Sequence, residues 1–217
     1  MIIVAGVSYR CGTTLIQRLI NTSDECLIYG EDNGILSTAD RYISFISKSM
    51  DRSKKQWENF NKNKDTFTAN LLRDMNDYID GFSFLIDSLY GGCGFKVLSP
   101  TEKDIDVLNV LANAKIVLMY RNLNDSWKSY QNIYGYISRE NFFKNFERSR
   151  TLLKKSLRGD YGNVYPMKYE DLSEDSVNTL FDWLGINNRK MIPKVLSNRI
   201  VEMDSFCKNS TNYLKRN

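Results

Sequence analysis

The sequence predicts an α/β protein: a three-layer α/β/α domain around a mostly parallel central sheet, opening on a P-loop-like, phosphate-binding strand-loop-helix. Three observations carry that expectation. Met1 to Gly6 and Lys115 to Tyr120 are near-continuous apolar runs of strand length, the pattern of strands buried on both faces of a parallel sheet. Between the strand-like runs lie segments whose apolar residues recur three and four apart, so strands alternate with helices. A chain of 217 residues is long enough for one well-buried α/β domain and too short for two comfortable ones. No internal repeat, low-complexity tract or interdomain linker interrupts it, and residues 1–217 read as a single domain.

The opening strand, Met1 to Gly6, leads through a glycine-containing loop into a helix over Thr13 to Asn21, where Leu15, Ile16, Leu19 and Ile20 form an apolar stripe. A short strand at Cys26 to Tyr29 ends on a turn signal, Gly30-Glu31-Asp32. Residues 37–80 are a polar insertion in which Tyr42, Phe45 and Ile46, then Leu71, Met75, Tyr78 and Ile79, keep helical spacing. Gly94 to Leu98 is the next strand. Ser99-Pro100-Thr101-Glu102 then starts a helix, with Thr101 or Ser99 as its cap, that runs to about Asn113. After the strand Lys115 to Tyr120, helices are expected over Asp125 to Tyr136 and Glu140 to Leu157, and a strand over Asn163 to Met167. Ser173 to Leu184 is the last helix, stopped by Gly185 as its C-cap.

Bulk composition narrows the function. Thirty basic against twenty-six acidic residues leave a formal charge of +4, which suits an anionic ligand and is far below that of a nucleic-acid coat. The longest apolar runs are strand-sized, so no membrane span is expected. The N-terminal run has no basic region ahead of it and no cleavage site after it, which reads as strand and not signal peptide. The four cysteines, Cys11, Cys26, Cys93 and Cys207, show no C-x-x-C pair, so free thiols in a reducing, cytoplasmic compartment are expected. There is no histidine. That removes imidazole from any catalytic scheme and argues against zinc, leaving a carboxylate, a lysine, a tyrosine or water as general base.

The chemistry-bearing stretch is Arg10-Cys11-Gly12-Thr13-Thr14, between the first strand and first helix. A strand end, a glycine turn and a helix N-terminus bring unpaired backbone N–H groups together, and the helix dipole favours negative charge. A plain strand-to-helix turn with a threonine cap has the same pattern, so the loop alone leaves both open. The Walker pattern G-x-x-x-x-G-K-[ST] does not fit. Gly6 and Gly12 have five residues between them and Thr13 stands where the lysine belongs. The second buried strand ends not in a magnesium-binding acid but in Arg121.

Three segments in order resemble the sulfotransferases that use 3′-phosphoadenosine 5′-phosphosulfate (PAPS). The first is Arg10-Cys11-Gly12-Thr13-Thr14, similar to that family's R-S-G-T-T loop. The second is "YRNLNDSWKSY", a strand ending in Arg121 with Ser129 eight residues later. The third is "MKYEDLSEDSVNTLFDWLGI", similar to the family's Y-E-D-L segment and the helix after it. The resemblance runs from residue 2 to about 186. It implies that residues 10–14 bind the 5′ end of the donor and that Arg121 and Ser129 bind its 3′-phosphate, by bidentate and hydroxyl hydrogen bonds. It also implies sulfuryl transfer without metal, leaving the product PAP.

Further residues follow from the same resemblance. "LIYGEDNGIL" is similar to the segment that holds a glutamate base in tyrosylprotein and carbohydrate members, which points to Glu31, with Asp32 as its rival. Lys96 resembles a lysine placed on the bridging or sulfuryl oxygens, and Lys208, Ser210 and Thr211 resemble a late nucleotide-contacting segment. The acceptor is expected to be a hydroxyl compound, with carbohydrate favoured, received by residues 37–80 and the aromatic-rich stretch from Tyr130 to Phe146. The glycine-rich R-x-G-x-x-G motif of cytosolic members is absent, and Cys11 replaces the usual serine. A thiol at a helix N-terminus can have a lowered pKa, so a redox-sensitive Cys11 is one expectation. A small nucleotide or nucleoside kinase with a divergent loop, and a non-catalytic PAP-binding module, are the alternatives.

Overall fold

The computed structural model describes residues 1–23, 25–31, 94–112 and 114–197. Five strands form one all-parallel sheet: β1 (Ile2–Gly6), β2 (Ile28–Glu31), β3 (Gly94–Leu98), β4 (Lys115–Tyr120) and β5 (Val164–Lys168), in the spatial order β2-β3-β1-β4-β5. The helices are α1 (Thr13–Asn21), α2 (Glu102–Ala112), α3 (Leu123–Ile133), α4 (Arg139–Leu157), α5 (Glu174–Leu184) and α6 (Ile192–Ser197). The three-layer α/β/α architecture is the one expected from the sequence.

Period-two alternation along the strands builds two cores. On one face Ile3, Ala5, Phe95, Val97, Ile116 and Leu118 pack with Ile105 and Leu108 of α2 and Leu152 of α4. On the other, Val4, Val117, Met119 and Met167 pack with Ile16, Leu19 and Ile20 of α1, Val177, Leu180 and Phe181 of α5, and Ile192 of α6. Burial on both faces is why β1 and β4 read as unbroken apolar runs.

Several element boundaries differ from those expected. Gly30 and Glu31 belong to β2 instead of a turn, because Glu31 pairs across from Lys96 of β3. Helix α3 starts two residues earlier than expected: the Asn122 side chain accepts the N–H groups of Asn124 and Asp125. Thr101, not Ser99, caps α2, exchanging hydrogen bonds with Asp104 (N–H to Oδ2 at 2.7 Å, returned to Oγ1 at 3.3 Å). Ser173 caps α5 with a reciprocal bond to Ser176, and Gly185 ends it as expected. A one-turn 3-10 helix at Tyr169–Asp171 and the short α6 had no counterpart in the sequence reading. The polar insertion at residues 37–80 lies outside the described residues.

Candidate functional site

β1 leads through α1 to β2 on one side of the sheet, while β4 leads to β5 on the other. The chain therefore leaves the carboxyl ends of two neighbouring strands in opposite directions, the arrangement that opens a ligand crevice in α/β sheets. The loop of residues 7–12 and the loop beginning at Arg121 form its walls. Backbone pairing extends past the strands to hold them: Val7 N–H donates to the Met119 carbonyl at 3.0 Å and Ser99 N–H to the Gly6 carbonyl at 2.7 Å.

The first loop is wound by left-handed residues, Arg10 at φ 61° and Gly12 at φ 104°. Alternation of this kind turns successive N–H groups towards one concavity that accepts anions. Holding a non-glycine residue such as Arg10 there costs about 1–2 kcal/mol. Gly12 is the N-cap of α1 and, among the described residues, no side chain caps the helix; the Leu15 N–H turns back to the Gly12 carbonyl and the Thr13 N–H faces the Cys11 sulfur, which leaves the Thr14 N–H for another acceptor. Cys11 and Thr13 turn inward, 1% and 9% exposed, whereas Thr14 is exposed at the crevice side of the first turn.

Two basic centres flank this loop. On the β4 side, Arg10 Nε donates to Ser129 Oγ at 3.3 Å and Arg121 Nη1 donates to the Arg10 carbonyl at 3.4 Å. The structure thus unites Arg10, Arg121 and Ser129, and places Arg10 with the second motif instead of with the first loop's own ligand position. The Arg121 guanidinium lies over the Tyr169 ring at 4.3 Å, and its buried Nε has no hydrogen-bond partner among the described residues. No carboxylate among the described residues forms an ion pair with either arginine. On the β3 side, Lys96 is 8% exposed, and its Nζ donates to Thr14 Oγ1 at 3.3 Å. Phe95 and Val97 face the opposite core, so strand alternation aims Lys96 at α1.

An aromatic cluster sets the loop on α3. Tyr9 packs on Tyr130 at 5.3 Å and Phe142 at 6.1 Å, and Trp127 stacks on Tyr130 at 6.0 Å. Such pairs each contribute about 0.5–1.5 kcal/mol beyond area burial. Because Tyr9 precedes Arg10 and Tyr130 follows Ser129, the ring contact carries Arg10 to the serine. Tyr130 and Phe142 are core residues; Tyr134 and Tyr136 are the exposed part of the stretch, at 50% and 74%.

The expectation of a low-pKa thiol at Cys11 is overturned. Burial pushes the thiol up to about 11, and the backbone N–H groups of Ser8, Cys11, Thr13 and Val7 pull the other way without overcoming it. Cys11 belongs to the core against α1, so it contributes backbone and not a reactive side chain. Glu31 is the last residue of β2, level with Lys96 across the sheet. Asp32, Lys208, Ser210 and Thr211 lie outside the described residues. Tyr9, Tyr169 and Glu170 were missed as site residues, although the Y-E-D segment was already conspicuous in the sequence. Among the described residues no group of three or more Cys, Asp or Glu is placed to hold a metal ion. No protein-family model matches the chain, and no curated protein matches it either.

Proposed function

We propose that the chain is a sulfotransferase that moves the sulfuryl group of PAPS to a hydroxyl acceptor, with carbohydrate the favoured class. The observation that carries this beyond the sequence resemblance is the pair of basic centres on either side of one helix N-terminus. Arg10, Arg121 and Ser129 suit a terminal phosphate, and Lys96 with the exposed Thr14 and the N–H groups of α1 suits a second anion. A nucleotide with separate 3′ and 5′ anionic groups fills both.

In the proposed reaction the acceptor oxygen forms a bond to sulfur as the bond from sulfur to the bridging phosphate oxygen breaks. Glu31 takes the acceptor proton, and PAP leaves. Negative charge collects on the bridging oxygen in a loose transition state. In this reading Lys96 and the Thr14 N–H at the start of α1 meet that charge, and one such donor is typically worth about 100- to 1,000-fold in rate.

Thermal-shift titration with PAP, ADP and ATP in EDTA tests the proposal. PAP at about a hundredfold over its dissociation constant should raise Tm by roughly 5–10 °C for a domain of this size, with ADP and ATP well behind. No preference for PAP sinks it, and a magnesium-dependent response to ATP favours the kinase alternative.

A further inference from the structure

We infer that Tyr169 and Glu170 are positioning residues that join the two halves of the anion site, a role that rests on the ligand being a nucleotide with two separate anionic groups. Both sit at the start of the 3-10 turn after β5, and together they touch both loops. The Tyr169 ring lies so close to Gly12 that a Cβ added there would stand 2.5 Å from its Cδ2. The Arg121 guanidinium stacks on the same ring at 4.3 Å. Glu170 Oε1 accepts the N–H of Asn122 at 2.9 Å, so the residue after Arg121 is held from the same turn.

An aromatic face against a guanidinium holds the group in place while leaving the donors that point away from the ring available. One of them, Nη1, reaches the Arg10 carbonyl, and the buried Nε has no partner among the described residues. The spacing between an anion at the N-terminus of α1 and one at Arg121 is therefore set through the Tyr169 ring. A ligand that must reach both positions depends on that ring. A ligand that uses the α1 N-terminus alone does not.

Calorimetric affinities for PAP and for AMP, which lacks the 3′-phosphate, separate these roles. Tyr169→Leu should weaken PAP about tenfold and AMP by no more than about twofold, whereas Tyr169→Phe keeps both affinities. Glu170→Ala, at an exposed position, should weaken PAP by about threefold with AMP unchanged. Equal losses for the two ligands, or a Tyr169→Phe variant as weak as Tyr169→Leu, overturn the inference. If the wild type does not prefer PAP to AMP, the nucleotide proposal fails separately. The clamp is then read from the Arg121 Nε–H resonance, assigned by its loss in Arg121→Lys. Ring current should displace it upfield in the wild type and in Tyr169→Phe but not in Tyr169→Leu. An upfield signal that persists in Tyr169→Leu overturns the clamp as well.

Discussion

Arg121 shows how one residue acquires its role from several neighbours. By itself it is a strand-end arginine. The Tyr169 ring beneath it, the Arg10 carbonyl beside it and the absence of a described carboxylate partner leave its charge for a ligand. Removing one partner of a desolvated, charge-assisted pair strands the other, so Arg121→Ala should weaken PAP on the order of 100-fold or more. Glu31→Gln should do the opposite: PAP affinity within about twofold, with transfer reduced by roughly 100- to 10,000-fold. Calorimetry and a sulfuryl-transfer assay on the two variants check both. Near-normal PAP affinity in Arg121→Ala would remove the site as drawn, and full activity in Glu31→Gln would pass the base role to Asp32.

At the scale of elements, the strand-loop-helix around Gly12 has a left-handed backbone at a place where Tyr169 leaves no room for a side chain. Gly12→Ala adds a strained φ and a clash; Gly159→Ala, at φ 79° with open space around it, adds only the strain. Both should lose about 1–2 kcal/mol from the backbone, read as a drop in Tm. Gly12→Ala alone should lose PAP binding as well, about tenfold or more, because it pushes Tyr169 off Arg121. Equal ligand affinities in the two variants would show that the ring contact at Gly12 is incidental. The loop's outline was legible in residues 10–14, where a glycine before a threonine-rich helix start marks a strand-to-helix turn. Its dependence on Tyr169 was not, because the two positions are far apart in the chain and meet only when β5 joins β4.

For the whole molecule, Glu102, Lys155 and Tyr161 tie α2, α4 and the turn before β5 together. Glu102 forms an ion pair with Lys155 and accepts the Tyr161 hydroxyl at 2.9 Å. The Lys155 hydrogen bond, then the Tyr161 one, hold the Glu102 carboxyl below its ordinary 4.5, so its contribution is complete above that pH and lost as pH falls below it. Burial, then the Glu102 bond, push the Tyr161 hydroxyl from 10.0 up to about 12; that contribution is complete below pH 10 and lost as pH rises towards 12. Melting curves should therefore fall at both ends. Glu102→Gln should flatten the acid limb below pH 4.5 relative to the wild type, and an unchanged acid limb would place the acid sensitivity elsewhere.

The layering of this protein and the course of its first loop were legible in the sequence alone. Buried parallel strands must be apolar on both faces, so β1 and β4 announce themselves, and the glycine before a threonine-rich helix start marks residues 10–14 as a tight strand-to-helix turn. The resemblance to a known family, not local composition, marked Arg121 and Ser129 as a pair. Tertiary structure decided the rest. Strand order put β1 beside β4, which brought Arg10 to Ser129 instead of leaving it with its own loop. Burial made Cys11 a core side chain instead of a redox-sensitive thiol. The return of the chain after β5 set Tyr169 between Gly12 and Arg121, a contact no local pattern encodes, because it depends on where three strand ends meet in space.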